Sequence, residues 1–571
     1  MNKNPSRKDF TRQFYRGNIP NFIVAMLAII VVAAVNLLIS WLIQEIIDVS
    51  SGNSSAFSLA ELVMLTFAAV FGIVFSSFLS YISRPRFIAK AMSQYKNFAF
   101  GELTKKGISA FSGENTSTYI SAFSNDVKSI EDNYLGGIFD LTVQILLFVG
   151  AFAMMLWYSP ALTAAAVAFT FLPVLASLLT GGKLAEAEKE VSQRNESFMS
   201  ALKDSLSGFS VVKSFKAEAA IIKLFSEQNG SVESSKCRRR KIALIINAIG
   251  SSAGVIAQFG VFLVGGYLSL SGKGITPGVI MVFVQLMGIV VQPISEVPTL
   301  LANRRAANAL IDKMANAIYS NVRDEGEDIP ARLRDGIEIK DLSFAYNADK
   351  EVLHNINAKF EAGKSYAVVG ASGCGKSTLL SLLMAGHSDY SGGIFYDGKE
   401  LRNVSSHSLY EVISIIQQNV FIFNSTIKDN ITMFRDFEPE EVERAISLSG
   451  LSALIAERGA DFKCGENGSG LSGGERQRIS IARCLLRKTT VLLVDEATAA
   501  LDAETAFQVS SSILELDGLT RIVVTHSLDE ALLKKYDSVL VLKNGAVEES
   551  GTFDELMDKK GYFYSLFTVS Q

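Results

Sequence analysis
Five stretches without a charged residue constrain this chain more than any other feature. They run from Gly17 to Gln44, Leu62 to Ser83, Leu141 to Gly182, Ile242 to Gly272 and Gly274 to Ser295, that is 28, 22, 42, 31 and 22 residues. A bilayer core is crossed by about 20 residues of helix, so four of them are single spans. The longest is twice that length, and Tyr158-Ser159-Pro160 near its middle predicts a tight turn, because Pro lacks an amide donor and disfavours helix in the residue before it. Six spans are therefore expected, all of them before Pro330. They account for the 49% hydrophobic composition and exclude a soluble enzyme.

Basic residues set the expected orientation. Five Lys or Arg precede the first span, seven lie between spans two and three and twelve between spans four and five, whereas the short loops on the opposite side hold Lys273 alone. Positive residues stay in the cytoplasm, so both termini and everything after the sixth span are expected there, in a bacterial cytoplasmic membrane. The run Cys237-Arg-Arg-Arg-Lys241 stands just before span five and reads as a topology anchor at lipid headgroups. A net charge of −4 argues against nucleic acid as a partner. Cys237, Cys374, Cys464 and Cys484 have no metal-like spacing and suggest neither a disulfide framework nor a zinc site.

The two long cytoplasmic connections, Arg84 to Asn133 and Lys183 to Lys241, keep helical periodicity at Leu184, Ala187 and Val191. The helices are thus expected to run on past the membrane as arms. An acidic linker at 321–335 follows an all-α transmembrane domain at 1–320. From Gly336 to the end, short β-rich runs at Ile337–Phe344, Ser365–Val369, Val491–Val494 and Arg521–Val524 alternate with helical segments. That alternation predicts an α/β domain with a mostly parallel sheet at 336–571. Within the spans the polar groups are Asp140, Gln144, Gln258, Gln285, Gln292 and Glu296, candidates for the wall of a cavity. Gly250 and Gly254 read as a seat for close helix packing.

Gly370-Ala-Ser372-Gly373-Cys374-Gly375-Lys376-Ser377-Thr378 follows an apolar strand and opens a helix, the context of a phosphate-binding loop. Its glycines let backbone amides wrap the phosphates, Lys376 reaches the β and γ phosphates of ATP, and Ser377 meets Mg²⁺. Val491-Leu-Leu-Val-Asp495-Glu496 is a strand ending in two carboxylates, where ligands collect in such sheets. Asp495 is expected to hold Mg²⁺ through water, and Glu496 to orient and deprotonate the attacking water. Leu471-Ser472-Gly473-Gly474-Glu475-Arg-Gln-Arg478 could be a flexible helix cap on its own, but here it stands just upstream of the acidic strand.

At these motifs the chain resembles the ATP-binding cassette (ABC) family, and six spans fused to one cassette resemble an exporter-type half-transporter over nearly the whole length. The resemblance implies that two cassettes meet head to tail, with Ser472, Gly473, Gly474 and Glu475 at the signature contacting ATP bound by the partner cassette. It further implies that Tyr346 stacks on adenine, that Gln418 touches Mg²⁺ and links hydrolysis to the membrane half, and that Glu466 faces an intracellular arm. His526 would contact the γ-phosphate. Phe111 to Asp126 and Gly208 to Phe215 resemble the coupling segments at the arm tips. Two departures stand out, Glu475 where Gln is commoner and Ala499 where Ser is commoner. The implied function is ATP-driven export of an amphipathic or lipid-like compound or a peptide. Import of a metal chelate and an ATP-gated channel subunit are the alternatives. The partner is a second half-transporter, identical or different.

Overall fold
A computed structural model describes the chain outside residues 1–6, 54–56, 113–115, 273, 320–325, 348–349, 497–500, 517 and 571, and describes no side chains at 112, 117, 172–182, 185, 295, 347, 350, 503 and 570. The chain divides into two compact units, Met1–Gly101 with Ser117–Tyr319, and Glu102–Thr116 with Ser320–Gln571.

The first unit is built from long helices: α1 (Ile19–Ser50), α2 (Leu59–Leu103), α3 (Gly137–Tyr158), α4 (Pro160–Ser207), α5 (Glu218–Leu270) and α6 (Pro277–Tyr319). Among the described residues, α1, α2, α5, α6 and the helical run Thr118–Tyr158 are long and apolar enough to cross a membrane. α4 is apolar from Pro160 to Phe171, and the rest of the expected fourth span falls on side chains outside the description. The turn after α3 forms where Pro160 requires it: Ser159 is extended, and its side chain accepts from the Leu162 amide to cap α4. Exposed Phe67, Phe71 and Trp157 suit hydrocarbon rather than water, as a spanning helix demands once its backbone is internally satisfied.

The helices do continue past the uncharged stretches, α4 for 48 residues and α5 for 53. On these arms Arg238 pairs with Glu190 at 3.2 Å and Arg239 with Glu188 at 3.0 Å. Part of the basic run expected to touch headgroups therefore zips α5 to α4. Among the described residues, a Cβ at Gly250 or Gly254 meets nothing within 4 Å, so no packing seat is seen there. Gly150, Gly260 and Gly278 are the tight positions instead, each with a neighbour closer than 3.0 Å to a built Cβ. At one end of the bundle the buried Asp48 carboxylate accepts from Gln44 (2.6 Å), Thr276 (2.8 Å) and the Gly278 amide (3.0 Å), while Tyr158 donates to Gln44 (2.9 Å). Four donors meet their acceptors there, which fixes the ends of α1, α3 and α6 at one level.

Among the described residues of the second unit, ten strands form two sheets. β1 (Gly336–Asn347), β2 (Lys350–Glu361), β4 (Ser391–Tyr396) and β5 (Lys399–Glu400) make an antiparallel sheet in the order β2-β1-β4-β5. The other runs β10-β9-β3-β8-β7-β6, from β3 (Ser365–Gly370), β6 (Ile413–Ile416), β7 (Val491–Asp495), β8 (Thr520–Val524), β9 (Ser538–Lys543) and β10 (Ala546–Gly551). It is parallel except at the β9–β10 hairpin. The parallel core was expected from the sequence; the separate antiparallel sheet was not. Its β1 is bulged at several points, so buried Leu353, Ile356 and Phe360 on β2 do not keep the clean alternation by which a strand is read.

Glu102–Thr116 belongs to this unit: the Ile108 amide donates to the Tyr410 hydroxyl at 3.4 Å. Phe111 of the first expected coupling segment lies here, Tyr119 to Asp126 belong to the other unit, and Glu114 is outside the described residues. The second segment contains a short helix, Phe209–Ser214, with exposed Phe209, Val211 and Phe215.

Candidate nucleotide site
The phosphate loop joins β3 to α7 (Lys376–Leu383). Gly370 and Gly375 have φ of +154° and +102°, and a Cβ on them would stand 2.2 Å from the Leu542 carbonyl oxygen and 2.5 Å from the Leu353 side chain. A side chain at either would be both strained and without room, so the loop requires glycine there. Leu379, Leu380, Leu382 and Leu383 anchor the helix in the core beneath. Its free amides face the loop, where an anion is favoured. Lys376 is buried, and its ammonium donates to the carbonyls of Gly370 (3.0 Å) and Ala371 (3.1 Å), with the buried Cys374 sulfur 4.0 Å away. The cation is thus held over the loop by acceptors that an incoming phosphate can replace.

β7 brings the two carboxylates beside this loop. The Ser377 hydroxyl donates to Asp495 Oδ1 at 3.0 Å. Burial pushes the Asp495 carboxyl above its ordinary range; Ser377 opposes this, Glu496 adds to it, and Lys376 and His526 oppose it. Glu496 receives the Gln418 amide on Oε2 at 2.9 Å, while its Oε1 lies 2.6 Å from His526 Nε2. It also has φ of +49°, a conformation that costs a non-glycine residue of order 1–3 kcal/mol and aims its side chain off the strand end. The Glu496 amide is held by the Val524 carbonyl of β8 (3.1 Å). Side chains from β7 and from the segments after β6 and β8 therefore converge at one sheet edge.

Tyr346 is 56% exposed, which leaves a ring face open to a base. It meets Phe344 edge-on at 5.0 Å and His387 at 5.3 Å, and its hydroxyl lies 3.1 Å from that of Thr378. His387 was not foreseen in the sequence. It sits far along the chain from Tyr346, and burial lowers its pKa, with Asp389 acting in the opposite direction. Base stacking is worth about 1–3 kcal/mol on alanine substitution. Tyr346→Ala is expected to raise the KM for ATP about tenfold with a smaller change in kcat, and Tyr346→Trp to restore it; steady-state phosphate release measures both.

The signature opens α8 (Gly473–Arg487). Ser472 accepts from the Glu475 amide at 3.2 Å, and Glu475 Oε2 accepts from the Ser472 amide at 2.6 Å. This reciprocal cap accounts for the departure at 475, because a carboxylate serves the cap and the helix N-terminus at once. Further along α8, Gln477 donates to the Glu496 carbonyl at 3.5 Å, and Arg483 donates to Phe421 and Asn430. These links tie the signature helix to the catalytic strand and to the segment after Gln418, and the motif reading missed them. Among the described residues no hydrogen bond joins Ser472, Gly473 or Gly474 to the phosphate loop. Glu466 is exposed on a single helical turn, and Ala499 lies outside the described residues.

Family models match both halves of the chain: the ABC transporter transmembrane region over residues 22–294 and the ABC transporter domain over 353–499. The chain belongs to the ABC transporter family. Among relatives of this transporter, an ATP-dependent lipid A-core flippase of Desulfotalea psychrophila is 28% identical over 99% of this chain and 100% of that protein. The putative multidrug export ATP-binding/permease protein YgaD of Bacillus subtilis is 29% identical over 84% of each. The structure of a bacterial Atm1-family ABC exporter with ATP bound shares the fold, with a TM-score of 0.81 and 23% identity over 96% of this chain and 98% of that one. This ABC transporter is a multi-pass membrane protein and an exporter-type half-transporter that binds ATP and couples its hydrolysis to transport. The comparisons support export rather than the import alternative.

Proposed function
We propose that the chain is one half of a dimeric exporter of amphipathic or lipid-like compounds, seated in a bacterial cytoplasmic membrane with its cassette and both termini in the cytoplasm. The observation that carries this reading is the Glu496 carboxylate, clasped by Gln418 and His526 beside the phosphate loop, in a chain whose other unit is made of apolar membrane-length helices. The distribution of basic residues supports the orientation, and the names of the bacterial relatives support an amphipathic cargo. All catalytic positions are present, which suits a homodimer and equally the intact member of a heterodimer.

In this reading Tyr346 stacks on adenine, and the amides from Gly370 to Thr378 wrap the phosphates. Lys376 turns from the two loop carbonyls to the β and γ phosphates. Ser377, Asp495 and Gln418 offer hydroxyl, carboxylate and carboxamide oxygens, a hard donor set that fits Mg²⁺, and the half-buried Asp495 carboxylate gains from a nearby cation. Mg²⁺ bound there would neutralise phosphate charge. Glu496 accepts a proton from the attacking water as its oxygen bonds to the γ phosphorus and the bond to the β–γ bridging oxygen breaks. His526 holds Glu496 in place and donates toward the γ-phosphate. Ser472, Gly473 and Gly474 of a second cassette close the site from across the dimer, so two ATP molecules hold the cassettes together and hydrolysis releases them. Glu466 keeps its proposed part in coupling.

Reconstituted vesicles test the proposal. ATP added on the cassette side is expected to drive a fluorescent amphiphile to the opposite face, and Glu496→Gln to abolish that movement. Movement in the reverse direction, or an ATP-gated ion current without moved cargo, would sink it.

A further inference from the structure
The cap of α8 uses one oxygen of Glu475 and leaves the other to a cation. Oε2 accepts from the Ser472 amide at 2.6 Å, while Oε1 lies 3.8 Å from Arg458 Nη2, an ion pair too long to be a hydrogen bond. The same guanidinium donates through Nη1 to the Gly470 carbonyl at 3.0 Å. Arg458 therefore braces Leu471-Ser472 from both sides, at the carbonyl before it and at the carboxylate that caps the helix after it.

Arg458 is put there by the core beneath. It ends the helix Ser452–Arg458, where the carbonyl end of a helix favours a cation, and Gly459, at φ +80°, turns the chain back. The guanidinium lies over the ring of the returning Phe462, 5.2 Å from its centre. Phe462 packs with Leu454, Cys464 and Leu471 in one apolar cluster, so the reach from Arg458 to the signature is fixed by buried side chains.

A helix N-terminus attracts an anion through free amides and positive potential, and a carboxylate in the first turn reduces that potential. Among the described residues, Arg458 is the cation at ion-pair distance from Glu475. The next cations of α8 are placed elsewhere: Arg476 lies against Gly468, and Arg478 lies against Gly450 with its charge acting on Asp502. A second carboxylate, Glu457, stands 3.5 Å from Arg458 Nε, but its side chain is 72% exposed and screened by water, whereas that of Glu475 is 14% exposed.

We propose that Arg458 is a positioning residue of the signature. It offsets the Glu475 charge and holds the Gly470 carbonyl, so that an acid can stand at a helix end that receives the γ-phosphate of ATP from the partner cassette. This rests on the two-cassette reading and names a residue that the site needs beyond its motifs. With the cation removed, the unpaired carboxylate repels the phosphate; with both charges removed, the repulsion goes too, so the two positions are coupled.

The pairing is tested in full-length protein in liposomes by a double-mutant cycle. Arg458→Met is expected to lower kcat/KM for ATP at least tenfold, and Arg458→Lys, which keeps the charge, to recover most of the loss. In a Glu475→Gln background the same Arg458→Met should cost less than threefold. Affinity for ADP, which lacks the γ-phosphate, should move less than twofold in Arg458→Met, which also marks the protein as folded. No loss in Arg458→Met, a loss as large with glutamine at 475 as with glutamate, or an ADP affinity that falls in step with turnover would overturn the pairing. A mixed dimer of Arg458→Met and Lys376→Ala separates that failure from failure of the two-cassette reading. Hydrolysis several fold above that of the Arg458→Met protein places Arg458 opposite the phosphate loop of the other chain. Hydrolysis below it, with the cycle still coupled, would leave the Arg458–Glu475 pair standing and overturn the arrangement across two cassettes.

Discussion

Purified Glu496→Gln protein is expected to bind ATP within a few fold of wild type and to hydrolyse it at least a hundredfold more slowly. A positioned base contributes about 10²–10⁴ to such a reaction, and here the base is held on both oxygens, by Gln418 at 2.9 Å and His526 at 2.6 Å. An amide of the same size can keep the Gln418 contact but cannot take a proton from water at neutral pH. The groups that hold nucleotide are elsewhere, in the loop around Lys376 and at Tyr346, so binding is preserved. ATP should then accumulate unhydrolysed and hold cassettes together, visible as a nucleotide-dependent increase in dimer on size-exclusion chromatography. Phosphate release and fluorescent-nucleotide titration measure the two arms. Turnover at the wild-type rate would remove Glu496 from the role of base, and equal loss of binding and turnover would make it structural.

The phosphate loop was legible in the sequence because its information is local. Glycines at 370 and 375 mark backbone conformations that no other residue accepts easily, and the strand before and helix after are read from neighbouring residues. Ser159-Pro160 was legible for the same reason. What could not be read depends on chain segments far apart. His387 meets Tyr346 through the packing of the strand end against the segment after α7, and the Gln477 contact with Glu496 exists because α8 lies against β7. The antiparallel sheet was hidden because register shifts along β1 break the alternation that would announce β2. The uncharged stretches gave the depth of hydrocarbon to be crossed, but α4 runs on to Ser207 and α5 begins at Glu218, and the salt bridges of Glu190 and Glu188 with Arg238 and Arg239 join the two arms where they leave those stretches.

Gly474→Asp should fold normally and lose at least a hundredfold in hydrolysis, and that loss should be repairable from another chain. Gly474 sits in the first turn of α8 behind the Ser472 and Glu475 cap, where an aspartate favours the helix by interacting with its positive end, a few tenths of a kcal/mol. The same carboxylate repels a γ-phosphate brought against that helix end, and an oxyanion-type contact of this sort is worth about 10²–10³ in rate. Stability and activity should thus move in opposite directions, which separates a blocked site from an unfolded one. Lys376→Ala fails for a different reason, since it removes the cation that replaces its two loop carbonyls with phosphate. If each site is formed by the phosphate loop of one chain and the signature of the other, a mixed dimer of the two variants carries both defects in one site and leaves the second site intact. Two-tag purification of that mixed dimer is then expected to recover hydrolysis that neither variant shows alone, and a mixed dimer as inactive as its parents would place both halves of the site on one chain.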